Sequence, residues 1–386
     1  MSDHPWFAEP IRLLHKGEFK ASEKMLRTPP KDVDPNMCKV VLMEVLIATA
    51  RIDEARALYE TILWQPPLPW YREKTGRYAS YFVHTWSPRV YSLHPMETVP
   101  ETMRLVGGSI CAYKGGIGVL ARAVNMTGEK ELKAAGDKWG RIENTLYWCV
   151  LDPTFRMLQS IKVCDRAVYP RATDAFIGYE DPRIVAWKDG VWITATSYQL
   201  YRHGKPHVVL GRLDDRGDIT KVVSLQCPDM NDDQKHWTPW VHKSNLHVVY
   251  RLVPWTVLRI DDADTGATSL VTQRPVLPWD ETRVVAGTSP VPYKDGYVMA
   301  VAISEVGEDG VERFLHRFVR IAASSLLPTH YSSTWVLWKP EWERIHGLYI
   351  QGDYVYLSCG HDQNECRVTR ITVSVLETCI SWYSVT

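Results

Sequence analysis

The sequence predicts a mainly β protein with a small α-helical domain at its N-terminus. Residues from about 8 to 63 place apolar side chains at helical spacing, whereas the chain after Pro66, Pro67 and Pro69 consists of short runs of β-branched and aromatic residues separated by turns. This second region of about 290 residues is too large for an ordinary sandwich and suits a propeller of five blades with about 60 residues each. We therefore expect an α-helical cap at residues 1–75 and a five-bladed β-propeller at residues 76–386.

The helical region contains two similar segments, LLHKGEFKASEKML and ATARIDEARALYETIL, in which Gly17 and Ala50 occupy equivalent positions 33 residues apart. This separation is close to the tetratricopeptide period, and the two segments resemble that repeat. Because an array that stands alone needs at least three repeats, the pair is expected to pack on something else. A cap docked on the propeller is favoured, and a surface for a protein partner or for self-association is the alternative.

Charge and cysteine content exclude several classes of protein. The chain has 45 Lys plus Arg against 45 Asp plus Glu, so it offers no overall electrostatic footprint for nucleic acid or for an anionic membrane. The longest apolar stretch, Val40–Ala50, is interrupted by Glu44 and is too short to span a bilayer. The eight cysteines form no CxxC pair and no secretory signal opens the chain, which favours a reduced, cytoplasmic protein without a metal site.

The segment GYEDPRIVAWKDGVWITATSY, residues 178–198, contains the most informative chemistry. Glu180 and Asp181 precede Pro182, which places the two acids at a strand start or a bulge. In an extended backbone Asp181 and Arg183 would project to one face and Glu180 to the other. An acid beside a guanidinium can act as a general acid or base, or it can form a structural ion pair that ties a blade together.

This segment resembles the EDPR signature of the five-bladed propeller glycosidases and phosphorylases that act on β-mannosides, and of the mannosyltransferases that share their fold. Four further stretches fall in the order expected of that group. They are SICAYKGGIGVLARAVN from Ser109, KHWTPWVHKSNLHVVYRLVP from Lys235, AGTSPVPYKDGYVMAVAIS from Ala286, and GLYIQGDYVYLSCGHDQNECRVTRI from Gly347.

The resemblance implies roles for individual residues. Asp181 would be the catalytic acid or base, and Asp362 of the closing blade would point toward the site. Hydrolysis would need a second carboxylate that positions water, for which Glu180, Asp362 and Glu305 are the candidates. Arg122 and Arg183 would bind sugar hydroxyls or phosphate. The other expected substrate-binding residues are Ser109, Asn125, Lys235, His236 and His361, together with Trp237 and Trp240. The two tryptophans would stack on a sugar ring or, equally, pack between blades.

Departures from the family pattern decide between activities. Ala302 stands where the phosphorylases have a phosphate-binding His. The phosphorylases also carry a basic pair directly after the Phe-Pro of the central hairpin, whereas this chain has Lys243 at a later position. A glycosyltransferase that moves a mannose-like sugar from an activated donor, such as a nucleotide sugar, to a carbohydrate acceptor is therefore favoured, with no required cofactor. The alternatives are a β-mannoside phosphorylase or glycoside hydrolase, and a propeller that only binds glycans.

Overall fold

The computed structural model describes most of the chain. The described residues are 5–49, 51, 54–55, 57–58, 84–85, 89–95, 99–125, 142–166, 176–188, 190–198, 206–227, 235–274, 284–306, 312–337, 343–361, 365–379 and 382–385.

The N-terminal region is helical, as the sequence predicts. A 3-10 turn at Pro5–Phe7 leads into α1 (Ala8–His15), α2 (Phe19–Arg27) and α3 (Pro35–Ala48). Gly17 ends α1 with φ of +77°, the left-handed conformation that glycine adopts without steric cost. The apolar stretch Val40–Ala50 falls largely in α3, where Val40, Met43 and Val45 are fully buried in the helical core. Most of the second predicted repeat lies outside the described residues, and the tetratricopeptide resemblance stays a prediction.

The rest of the described chain folds into five β-sheets arranged as the blades of a propeller, which confirms the predicted fold class. The main strands of each blade pair antiparallel, and tight turns such as those at Gly115, Gly217 and Gly352 join consecutive strands. The strand bounds are β1 (His84–Thr85), β2 (Arg89–Ser92), β3 (Arg104–Tyr113), β4 (Gly116–Val124), β5 (Ile142–Leu151), β6 (Met157–Lys162), β7 (Phe176–Ile177), β8 (Glu180–Trp187), β9 (Gly190–Ser197), β10 (His207–Leu213), β11 (Ile219–Ser224), β12 (Thr238–His242), β13 (Asn245–Leu252), β14 (Trp255–Asp262), β15 (Ala267–Arg274), β16 (Val284–Gly287), β17 (Val291–Tyr293), β18 (Gly296–Val306), β19 (Glu312–Ala322), β20 (Pro328–Ser332), β21 (Trp335–Val336), β22 (Glu343–Gln351), β23 (Tyr354–His361), β24 (Glu365–Thr372) and β25 (Trp382–Ser384).

Blades 1 to 3 follow the chain in order. Blade 1 contains β3–β6 with β7 at the edge of β5, blade 2 contains β8–β11, and blade 3 contains β12–β15. Blade 4 is built on β16–β19 with additional short strands, and blade 5 orders its strands β22, β23, β24 and β2. The first strand of each blade lies toward the centre, where β3 contacts both β8 of the next blade and β22 of the last one.

The ring is closed by strand pairing between distant parts of the chain. β2 pairs antiparallel with β24, so that Arg89 is opposite Arg370 and Ser92 is opposite Arg367. The last blade is therefore completed by a strand that precedes the first blade in sequence. This pairing removes one exposed sheet edge.

Apolar cores fill the spaces between blades. Trp148, Trp240, Trp255 and Trp335 are among the largest fully buried side chains. Among the residues the structure describes, no helix is both long enough and apolar enough to cross a membrane.

Candidate active site

The centre of the candidate site is an ion pair between Arg122 of β4 and Asp181 of β8. Arg122 Nη1 donates to Asp181 Oδ1 at 2.9 Å, and Nη2 lies 3.6 Å from Glu180 Oε1. The guanidinium is fixed from its other side, because Nε donates to Asn144 Oδ1 at 2.8 Å. One arginine from blade 1 thus contacts both predicted acids at the start of blade 2.

A bulge at the start of β8 sets the direction of Asp181. Its φ is +46°, and the pairing of β8 with β9 shifts register between Glu180 and Arg183. Aspartate is one of the few residues other than glycine that enters this left-handed region readily. The alternation expected for an extended backbone is therefore wrong here, since the carboxylates of Glu180 and Asp181 both lie beside Arg122 instead of on opposite faces.

Two further basic side chains approach the Asp181 carboxylate, whose side chain is only 8% exposed. His236 Nδ1 lies 3.0 Å from Oδ2, and Arg344 Nη2 lies 3.9 Å from the same oxygen. Burial by itself raises the pKa of this carboxyl. The His236 contact and the charges of Arg344 and Arg122 outweigh burial and hold the pKa of the Asp181 carboxyl well below its ordinary value. Asp181 is consequently ionised at neutral pH.

Arg183 is fully buried beneath this cluster, and it binds backbone carbonyls instead of the Asp181 carboxylate. Nε donates to Gly287 O at 3.2 Å and Nη1 donates to Pro182 O at 3.2 Å. Among the residues the structure describes, Nη2 has no hydrogen-bond partner. Burial lowers the pKa of the Arg183 guanidinium to about 10, helped by the charges of Arg344 and Arg122, so it stays protonated at neutral pH.

Glu180 lies at the rim of the same site. Tyr198 Oη donates to Glu180 Oε2 at 3.2 Å, and Lys235 Nζ lies 3.6 Å from that oxygen. The Lys235 ammonium also lies 5.4 Å from the centre of the Tyr198 ring. The side chains of Lys235 and His236 thus approach the two acids from the start of blade 3.

A small pocket lies beside Asp181, with a cavity volume of about 10 Å³. Its lining includes Arg122, Asp181, Arg183 and His346, together with Gly107 and Gly108. A Cβ atom at Gly107 would lie 2.3 Å from His346 Cδ2, and Gly107 has φ of +144°. Burial, together with the charges of Arg183 and Arg344, lowers the pKa of His346 well below its ordinary value, so the ring is neutral.

The structure corrects the prediction that Trp237 and Trp240 form a stacking platform. Trp237 is 2% exposed and packs edge-on against Tyr250, while Trp240 is 0% exposed and packs on Tyr297. Neither ring offers a face to a sugar. Packing between blades accounts for both residues, and this is the alternative that the sequence left open. Large aromatic side chains are common in strands and are highly buried on average.

Two more predicted binding residues hold strands together. Ser109 is fully buried, and its Oγ accepts the backbone N–H of Ile184 at 3.0 Å, which joins blade 1 to blade 2. Asn125 Oδ1 accepts the backbone N–H of Glu143 at 2.8 Å at the end of the β4–β5 pair. Their proposed contact with substrate stays a prediction.

Three predicted positions cannot be placed at the site. Asp362 lies outside the described residues. The backbone of His361 and Glu305 is described in β23 and β18, but their side chains are not.

Sequence reasoning missed three residues that complete the cluster: Asn144, Arg344 and His346. Asn144 orients Arg122 and donates to Ile177 O at 3.1 Å. Arg344 and His346 lie on β22 with one residue between them, just before the matched stretch that begins at Gly347. The ERIHG sequence is the only local signal, because basic residues in an otherwise apolar central strand are costly unless they are paired.

His316, close to a matched stretch, belongs to a buried pair instead of the pocket. His316 and Glu343 are both 0% exposed, with His316 Nδ1 3.7 Å from Glu343 Oε1. Glu343 accepts the backbone N–H of Leu337, and His316 Nε2 accepts the backbone N–H of Ile345 at 3.3 Å. Burial lowers the pKa of His316 to about 3, so the ring is neutral at pH 7.

The Asp-rich turn that begins at Asp214 is structural. Asp214 Oδ1 accepts the backbone N–H groups of Arg216 and Asp218 at 2.9 Å, which is the geometry of a capped turn. Across the described part of the chain, no group of three or more His, Cys, Asp or Glu side chains is arranged to hold a metal ion.

Comparison with solved structures shows the fold that this site is built on. A glycosyl hydrolase from Bacteroides ovatus has a TM-score of 0.52 and 14% sequence identity, over 73% of this chain and 91% of that protein. A candidate glycosidase from Bacteroides thetaiotaomicron has a TM-score of 0.50 and 12% identity, over 70% of this chain and 87% of its own. A β-1,2-mannobiose phosphorylase from Listeria innocua has a TM-score of 0.48 and 11% identity, over 75% and 98% of the two chains. Identities this low show a shared fold alone, and the first two structures carry that conclusion. Neither a known family model nor a curated protein matches the sequence.

Proposed function

We propose that this protein cleaves a glycosidic bond in the pocket beside Asp181, with inorganic phosphate as the favoured acceptor and water as the alternative. The observation that carries the proposal is the ionised, buried Asp181 carboxylate held between Arg122, His236 and Arg344. A carboxylate in such a site exchanges protons with a bound sugar oxygen. The fold shared with glycosidases supports this choice over the glycosyltransferase that the sequence favours.

The charge of the site favours phosphate. Arg122, Arg183, Arg344 and Lys235 supply four positive charges against the two carboxylates of Glu180 and Asp181. Within the described chain, Arg183 Nη2 and Arg344 Nε are buried donors without a hydrogen-bond partner. A guanidinium group can bind two phosphate oxygens at once through two parallel N–H···O hydrogen bonds. These arginines could supply the anion site for which Ala302 and the displaced Lys243 provide no groups.

The same arrangement accounts for how an acid with a low pKa could deliver a proton. A phosphate dianion at Arg344 and Arg183 would offset the positive charge that keeps Asp181 ionised, and the pKa of its carboxyl would rise on binding. A phosphate oxygen would then attack the anomeric carbon as the glycosidic C–O bond breaks. The leaving oxygen would take a proton that the Asp181 carboxyl gains from solvent when phosphate binds, and the sugar 1-phosphate formed would release the former hydrogenphosphate proton to solvent.

Product analysis tests the proposal. The protein is incubated with manno-oligosaccharides in the presence and absence of phosphate, and separately with nucleotide sugars and the same acceptors. We expect a sugar 1-phosphate to appear with phosphate, and Asp181→Asn to lower the rate by at least about 10³-fold. The matched control is Asp353→Asn, at the exposed turn between β22 and β23, which should keep full activity.

Each other outcome has a defined meaning. Free mannose formed at equal rates with and without phosphate would replace phosphorolysis by hydrolysis. Turnover of nucleotide sugars alone would restore the glycosyltransferase. Glycan binding without any turnover would leave a propeller that only binds sugars, and the proposal of catalysis would be wrong.

A further inference from the structure

A second pocket of about 400 Å³ lies between blades 1 and 2. It is formed where three strand pairs turn, at the β3–β4, β8–β9 and β10–β11 connections. Its lining includes Tyr113, Trp148, Gly190, Arg212, Asp214 and Asp215. The volume falls within the range of small-molecule sites, about 300 to 1,000 Å³.

This pocket opens at the opposite end of the strands from Asp181. Asp181 is the second residue of β8, whereas Gly190 follows the turn after β8 ends at Trp187. Six residues of strand at about 3.3 Å each separate the two ends by roughly 20 Å. The two pockets are therefore distinct, and a ligand in one does not contact the residues of the other.

An unused polar group lies in the wall of this second pocket. Trp148 is 1% exposed, and within the described chain its indole Nε1 has no hydrogen-bond partner. Its Cδ1 atom, which neighbours Nε1, would be 3.0 Å from a Cβ atom at Gly217, so this edge of the ring faces the Asp214–Gly217 turn. Buried indole N–H groups usually find an acceptor, and here a ligand could supply it.

The remaining lining groups suit an uncharged polyhydroxyl ligand. Tyr113 packs edge-on to Trp148 at 5.1 Å, and its hydroxyl lies 3.4 Å from Asp215 Oδ1. Outside the lining, Lys114 Nζ lies 3.1 Å from the same carboxylate oxygen. Two positive charges, on Lys114 and Arg212, thus offset the two carboxylates of Asp214 and Asp215. Balanced donors and acceptors next to aromatic rings can bind sugar hydroxyls, whereas a strongly charged ligand would find no net opposite charge.

We propose that this pocket is a carbohydrate-binding site for one or two sugar units of a neutral glycan. Trp148 Nε1 and Arg212 would donate to sugar hydroxyls, Asp215 would accept from them, and Tyr113 would contact the ring. The proposal does not depend on the proposed catalytic activity. A site of this kind would hold a glycan on the face opposite the catalytic pocket.

Indole N–H signals in an NMR titration test the proposal. The probes are mannobiose and cellobiose, added at millimolar concentrations to the ¹⁵N-labelled full-length protein. The Trp148 signal is assigned by its loss in Trp148→Phe, and the buried Trp255 of blade 3 serves as the internal reference. We expect a saturable shift of the Trp148 signal and no shift of the Trp255 signal.

Calorimetry provides a second measurement that does not require a substitution in the core. The half-buried residues are changed together, in Tyr113→Ala/Arg212→Ala, and we expect affinity for the bound disaccharide to fall by about tenfold or more. Asp353→Asn, on the same face of blade 5, should bind as the unmodified protein does. A Trp148 signal that does not move, or an affinity unchanged in the double variant, would overturn the proposal.

Discussion

The close approach of Gly107 and His346 leads to a prediction about the pocket beside Asp181. In Gly107→Ala the new Cβ would lie 2.3 Å from Cδ2 and 2.6 Å from Nε2 of a ring that is itself only 7% exposed. Overpacking of this kind costs about 1–3 kcal/mol, and a disfavoured backbone at φ of +144° costs about 1–3 kcal/mol more. We expect the free energy of unfolding to fall by about 2–6 kcal/mol.

Urea unfolding at pH 7 measures this loss. Gly115→Ala is the matched control, because Gly115 also has positive φ, +80°, but nothing lies within 4 Å of its Cβ position. This control should cost only about 1–2 kcal/mol. The double variant Gly107→Ala/His346→Ala removes the clash, and we expect it to be more stable than the sum of the single changes by at least about 1 kcal/mol. Equal losses in both alanine variants, or strict additivity in the cycle, would refute the predicted close contact.

Three further predictions concern polar groups. Asn144→Ala removes the acceptor of Arg122 Nε, and we expect kcat/KM for the glycan identified by product analysis to fall by about tenfold. Asn245→Ala, at the exposed first residue of β13, is the control and should leave kcat/KM unchanged. Asp181→Asn should lower the free energy of unfolding at pH 7 by about 3 kcal/mol. Because the pKa of Asp181 is depressed in the folded protein, the difference between the two proteins should shrink as the pH falls below about 3.8. A difference that stays constant with pH would contradict this prediction. His316 stays neutral in the folded protein, but in the unfolded chain it takes up a proton below about pH 6.5. The free energy of unfolding should therefore fall on acidification by up to about 1.4 kcal/mol per pH unit. His316→Gln should flatten this slope between pH 4 and 6.

The fold could be predicted because turns separate short strand-forming runs over a region long enough for five blades. That Arg122 and Asp181 belong to one site could be predicted only through resemblance, since the two residues are 59 positions apart and no local pattern connects them, and their ion pair was not predicted. The partner of Asp181 nevertheless differs from the one that spacing suggests. A bulge with φ of +46° turns the carboxylate away from the alternation of an extended strand, and that backbone angle has no signature beyond the following Pro182.

Aromatic residues show where composition stops being informative. Trp237 directly precedes β12 and Trp240 lies within it, close to His236. Their sequence context suits a stacking platform for a sugar and a buried core position equally. Tertiary packing decides between the two: Trp237 contacts Tyr250 of blade 3, and Trp240 contacts Tyr297 of blade 4, which is distant in sequence. Arg344 was missed for a related reason, because its role arises only when the last blade meets the first.

Pairing of β2 with β24 has a consequence for how the site comes into being. Arg122 belongs to the first blade and Arg344 to the last, and both contact the carboxylate of Asp181. These groups become neighbours only when the two ends of the ring meet, a step that joins residues nearly 300 positions apart and is expected late in folding. Closure of the ring therefore brings together the side chains around Asp181. A chain with an open ring would keep most of its blades but would lack an assembled centre.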